Sequence, residues 1–140
     1  MRSVPSTLTP CVLILLTTVA RPVGAQGEAQ EAAPQGPRIA EAAVCRAVED
    51  RAPVDAGDTF SADTERLFCF TDVRGAEGET IVHVWIHEGT TRARVELDIG
   101  ADRWRTWSSK RLLPAWTGSW EVKVMTEAGA VLETLAFTVE

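Results

Sequence analysis

The sequence has no tyrosine, no asparagine, only two histidines and no apolar run near the length of about twenty residues that a membrane-spanning helix needs. The last absence argues against a stable membrane span once the leader described below is removed. Few polar side chains remain from which to build an active site. The chain has no G-x-S-x-G nucleophile elbow, and no pattern of residues around either histidine that would make it a catalytic base. Nor is there a basic excess: 14 Lys and Arg face 20 Asp and Glu, a formal charge of −6. A polyanion rewards the opposite sign, so nucleic acid is excluded as a partner. The two histidines, His83 and His87, stand four positions apart in one extended stretch. At about 3.3 Å per residue they are roughly 13 Å apart, too far for one metal ion to be held by both. The hairpin described below makes them exposed residues paired across it with Glu96 and Arg92. The spaced carboxylates Asp98 and Asp102 around Gly100 lack the other oxygen ligands of a calcium loop. No catalytic residue, metal or cofactor is therefore expected, and the chain does not read as an enzyme.

What is present begins with a leader. Arg2 precedes a ten-residue apolar run, Cys11 to Ala20, and Val23-Gly24-Ala25 suits cleavage after Ala25. This pattern predicts a signal peptide over 1–25 and a periplasmic or secreted protein of bacterial type. Cys11 opens the apolar core instead of following it, which argues against a lipid anchor. Without Arg2 and Arg21, 12 basic residues face 20 acidic ones, a charge of −8. Residues 26–37, QGEAQEAAPQGP, carry no large apolar side chain to offset the entropy of ordering and are expected to form a disordered linker. A single domain should occupy 38–140, a length that supports one core. Cys45 and Cys69 are the pair left after cleavage. In an oxidising compartment an even count predicts a disulfide between them.

Within the domain the hydrophobic period is two. Val82, Val84 and Ile86 alternate with His83, Trp85 and His87, and Ala93, Val95, Leu97 and Ile99 alternate with Arg92, Arg94, Glu96 and Asp98. A turn at Gly89-Thr90 would pair Ile86 with Ala93, Val84 with Val95 and Val82 with Leu97, all on one face. A second turn at Ala128-Gly129 would set Trp120 opposite Phe137 and Val122 opposite Leu135, with Lys123 and Thr134 outside. Weaker strands are expected over 39–48, 67–73 and 103–109, with an irregular connection over 49–65. About seven short strands and no useful amphipathic helix predict an all-β, immunoglobulin-like antiparallel β-sandwich.

Five segments then carry a resemblance. They are C-F-T at Cys69 to Thr71, H-x-W at His83 to Trp85, R-W-R-T-W-S-S-K at Arg103 to Lys110, G-S-W-E-V at Gly118 to Val122, and the closing G-x-V-L and F-x-V at Gly129 to Leu132 and Phe137 to Val139. Together they resemble the bacterial domain of unknown function numbered 2914. The resemblance runs from about Ala43 to Glu140 and implies an envelope location. It implies no activity and carries over no catalytic residue.

One asymmetry remains. From Arg92 to Arg111 six basic residues stand against three acidic ones, so this window is +3 in an acidic chain. If alternation holds through 103–109, Trp85, Arg94, Arg105 and Trp107 form one exposed face. Such a face would stack a sugar or pair with acidic groups of an envelope protein or glycan. The corresponding function is a non-catalytic binding or adaptor module of the cell envelope. The alternative is a purely structural or assembly domain in which stacked Arg and Trp only stiffen a sheet. Burial of Trp107, or its placement on the sheet opposite Trp85, would remove the shared face.

Overall fold

The computed structural model describes residues 36–140, so the leader and all but the end of the linker lie outside the described residues. Nine strands follow one another: β1 (Arg38–Glu49), β2 (Ala52–Ala56), β3 (Thr59–Phe60), β4 (Arg66–Arg74), β5 (Thr80–His87), β6 (Thr90–Asp98), β7 (Arg103–Arg111), β8 (Gly118–Thr126) and β9 (Val131–Val139). They form a four-stranded sheet in the order β2-β1-β4-β7 and a five-stranded sheet in the order β3-β9-β8-β5-β6. The set β1-β4-β7 facing β9-β8-β5-β6 is the immunoglobulin-like arrangement expected of two alternating, half-buried layers. The one departure from antiparallel pairing is β3, which runs parallel to β9.

Two strands fill what the sequence reading leaves irregular. β1 and β2 are joined by the two-residue turn Asp50-Arg51, with φ of 48° and 58° and Glu49 paired with Ala52. Both turn residues are left-handed, the geometry that matches the strand twist, although neither is glycine or asparagine. The hairpin of β8 and β9 has the expected register: Trp120 pairs with Phe137, Val122 with Leu135 and Lys123 with Thr134. Its loop is longer than the two residues expected. The strands end at Thr126 and resume at Val131, and the register shifts beyond Val124 to admit the difference. Trp120 and Phe137 are buried and stacked, with ring centroids 5.8 Å apart.

The hairpin of β5 and β6 departs from expectation in a way that changes the function argument. Its turn is Glu88-Gly89, with φ of 47° and 77°, and His87 pairs with Thr90. A bulge then leaves Arg92 unpaired between Thr91 and Ala93, so that Trp85 lies opposite Ala93 and His83 opposite Val95. Relative to the expected register the strands slip by one residue, and a slip of one exchanges the faces of β5. Ile81, His83, Trp85 and His87 point into the sandwich and are buried; Val84 and Ile86 lie outside and half-buried. Cross-strand neighbours shield the outer set, since Val84 lies between Arg94 of β6 and Lys123 of β8, whose aliphatic stems cover apolar surface. The expectation of exposed histidines paired with Glu96 and Arg92 is thereby overturned.

The expected disulfide is absent: Cys45 and Cys69 are free thiols, both buried. They sit on neighbouring strands in the wrong phase. Cys69 pairs with Val44 and faces the core, while Cys45 pairs with Phe68 on the other side of the sheet. Residues opposed across a ladder share a face and successive residues alternate, so the two Cβ vectors diverge. The Cys45 thiol donates weakly to the Phe68 carbonyl at 3.8 Å. Burial raises the pKa of both thiols, that of Cys69 most strongly. Neither cysteine should therefore alkylate in the native protein, and both should react after denaturation without reductant. Intact-mass analysis checks this, and a loss of two hydrogens would overturn it.

Candidate functional site

The four residues expected on one face are divided among three places. Trp85 is 0 % exposed on β5, where its Nε1–H donates across the sandwich to Ser108 Oγ at 3.0 Å. Its ring meets Phe137 edge-on at 6.2 Å. Arg94 lies on the outer face of the five-stranded sheet, 4.0 Å from Glu96. Arg105 and Trp107 lie together on β7, on the outer face of the four-stranded sheet, with Trp107 38 % exposed. No surface shared by all four exists. The slipped register removes Trp85, and Arg94 belongs to the opposite sheet.

Around Arg105 and Trp107 the structure assembles a site. Alternation along β7 turns Arg103, Arg105, Trp107, Ser109 and Arg111 outward, and the ladder sets them opposite Arg74, Asp72, Phe70, Phe68 and Arg66 of β4. Trp107 and Phe70 thus occupy opposed positions on this face, beside Phe68, with arginines at both ends of the apolar band. Asp72 is the hub of the end nearer the start of β7. Arg74 Nε and Nη2 donate to its two oxygens at 2.9 and 3.2 Å. Arg105 and Arg103 approach Oδ2 at 3.6 and 3.7 Å. The Arg74 hydrogen bonds, with the charges of the three guanidinium groups, hold the Asp72 carboxyl below its ordinary pKa against the opposing effect of burial. Asp72 and, acting on Arg74, Asp102 face three guanidinium groups, so the cluster keeps a net positive charge. Arg105 Nη1 also donates to the Arg51 carbonyl at 3.5 Å, so the tip of the β1–β2 hairpin reaches β7. Arg51, Arg103, Trp104 and Arg105 border a shallow depression of about 360 Å³. Guanidinium groups fixed by a buried carboxylate beside an exposed indole are suited to bidentate recognition of anionic oxygens and to stacking. Asp72 and Arg74 are absent from the sequence reading. Their D-x-R spacing places both on one strand face, but only the β4–β7 pairing reveals Arg103 and Arg105 beside them.

The interior holds a second polar constellation. The Thr71 hydroxyl donates to the Thr106 carbonyl at 3.1 Å, so its oxygen accepts from His83 Nε2–H at 3.3 Å. His83 Nδ1 then accepts from the Ser108 hydroxyl at 2.7 Å, and Ser108 accepts from Trp85. One directed chain of four hydrogen bonds crosses from sheet to sheet, and burial lowers the His83 pKa to about 4, keeping the ring neutral. The serine and histidine have the hydrogen bond of a nucleophile and its base. Both are buried and every proton is already committed, so the arrangement satisfies core polar groups instead of meeting a substrate. His87 is stacked on Trp120 at 4.6 Å and donates through Nε2–H to the Thr117 carbonyl at 2.7 Å. Trp116, which the sequence does not place, is half-buried, with Arg92 and Lys110 4.7 and 5.2 Å from its ring.

Comparison with curated proteins gives no match. Residues 78–139 span β5 to β9 and contain the whole of β7, with its R-W-R-T-W-S-S-K run; β1 to β4, and Asp72 with them, precede that stretch. Over residues 78–139 the chain matches the family described as Protein of unknown function (DUF2914).

Proposed function

We propose that this protein is a non-catalytic binding module of the bacterial cell envelope, and that the outer face of β7 binds an acidic envelope component. The observation that carries the reading is the convergence of Arg74, Arg103 and Arg105 on Asp72 beside the exposed Trp107. In a chain of charge −6, β7 alone holds Arg103, Arg105, Lys110 and Arg111 and no acid. Concentrated positive charge with a partly desolvated aromatic beside it is the usual make-up of an anion-recognising hot spot. The export reading rests on the leader, with its short apolar core and the small residues before Ala25.

Retention of the purified protein on peptidoglycan or an acidic glycan, or capture of a component from envelope extracts, tests the proposal. Trp107→Ala and the double change Arg103→Ala/Arg105→Ala should each weaken retention while leaving the circular dichroism spectrum unchanged. Retention should also fall as salt rises from about 0.05 to 0.5 M, because exposed charge pairs are screened over a Debye length. Equal retention of wild type and both variants across such a panel would favour a purely structural or assembly domain.

A further inference from the structure

β7 is the edge of its sheet, and β6, with which it is in contact, is the edge of the other. The β4–β7 ladder runs through nine residue pairs without a register shift, so this edge carries no bulge, and β7 contains no proline. Among the described residues, no loop backbone group bonds to residues 103–111. An edge strand leaves the N–H and C=O of every second residue unpaired, a ready template for another strand.

The side chains along this edge also await a cover. Trp104 and Thr106 of β7 lie opposite Val73 and Thr71, and Val95 and Leu97 of β6 lie opposite His83 and Ile81; all four partners are inward-facing and completely buried. Trp104, Thr106, Val95 and Leu97 point into the same interior yet are only half-buried. Between Gly100, which lies against the Trp104 ring at one end, and Trp116, which Arg92 and Lys110 overlie at the other, the β6–β7 side shows apolar surface in the seam.

Charge decides what fits there. A second copy of β7, paired antiparallel about Trp107, would set Arg103 against Arg111 and Trp104 against Lys110, with no acid on either strand. Directly opposed like charges are destabilising, so the edge excludes its own kind. A strand with acidic residues at alternate positions meets the opposite situation. Its carboxylates would lie on the outer face beside Arg103, Arg105 and Arg111, and its intervening residues would enter the seam.

From this geometry we infer that β7 accepts an extended segment of a partner protein, alternating acidic with β-branched or small apolar residues, as an added strand of the four-stranded sheet. This inference rests on the reading of β7 as the binding face and specifies its occupant. Main-chain hydrogen bonds supply affinity, and the alternating contacts supply selection.

The test uses the whole purified protein and a synthetic peptide that alternates glutamate and valine over about the length of β7. Two probes of matched charge accompany it: the same peptide N-methylated at alternate amides, and oligoglutamate. The alternating peptide should bind roughly tenfold or more tighter than either, since both lose part of the added ladder or of the seam contacts. It should slow hydrogen exchange at β7 amides. Arg103→Ala/Arg105→Ala should weaken it by a similar factor. Equal binding of the N-methylated peptide, or protection that falls elsewhere than β7, would overturn strand addition. If the acidic probes still bind and still depend on Arg103 and Arg105, the binding face survives that failure. If no acidic probe binds, the face and the added strand fail together.

Discussion

Trp85→Ala is expected to cost about 3–5 kcal/mol, the usual price of emptying a buried aromatic site, in a domain whose whole stability is of order 5–15 kcal/mol. Trp85 is completely buried between the sheets, beside Phe137 and on the strand that lies between β8 and β6. The indole fills a volume that neighbouring β-sheet backbone cannot collapse to close, and its N–H supplies the first bond of the polar chain through Ser108 and His83. Denaturant melts should show a midpoint far below wild type, or no cooperative transition. Trp107→Ala supplies the contrast. It removes a partly exposed ring that lies opposite Phe70 on the β4–β7 ladder, and should cost about 1 kcal/mol or less. The two tryptophans are two alternating positions of similar-looking strands, and the pair of melts separates a core residue from a surface one. A Trp85→Ala protein as stable as wild type would restore the register in which that ring faces solvent.

The reason that register is hard to read lies in β5 itself. Both of its alternating sets are plausible interiors: Val82, Val84 and Ile86 on one side, Ile81, His83, Trp85 and His87 on the other. Hydrophobicity alone selects the first. The fold selects the second because Ser108 and Thr71, strands away in sequence, stand where they complete the hydrogen bonds of Trp85 and His83. A buried polar residue is affordable only when its partners are present, and partners across a sandwich are invisible to local periodicity. The turn added to the difficulty, since Glu88 adopts the left-handed conformation usually signalled by glycine or asparagine. The same holds for Asp50 and Arg51, which is why β2 falls within a stretch that reads as irregular. Where alternation was unambiguous, as in β8 and β9, the pairing through Trp120 and Phe137 could be read directly. The site divides in the same way. Arg105 and Trp107 share a face because they alternate within one strand, whereas their attachment to Asp72 depends on which strand lies beside β7.

A sharper consequence of the inward register concerns pH. Burial lowers the pKa of His83 to about 4 from an ordinary value of 6.5, and its partners Thr71 and Ser108 are neutral hydroxyls. As pH falls, the unfolded chain takes up this proton near 6.5, while the folded protein refuses it until about 4. Between those values the unfolded state binds more protons, so stability declines with falling pH. The contribution is fully present above the unfolded pKa, falls by roughly 1.4 kcal/mol per pH unit through the window and levels off near pH 4, about 3 kcal/mol in all. Asp72 acts in a separate range: its carboxyl is held below 3.8, so its stabilisation is present above that value and lost only in stronger acid. Denaturant unfolding of wild type and His83→Gln at several pH values between 7.5 and 4 isolates the histidine. The glutamine variant should be the less stable protein at pH 7.5, because it completes fewer of the core hydrogen bonds. Its stability should lack the His83 portion of the acid slope, so that the two proteins converge by about 3 kcal/mol as pH approaches 4. A difference between them that stays constant across this range would mean that His83 is not held neutral in the core, and with it the inward face of β5 would fall.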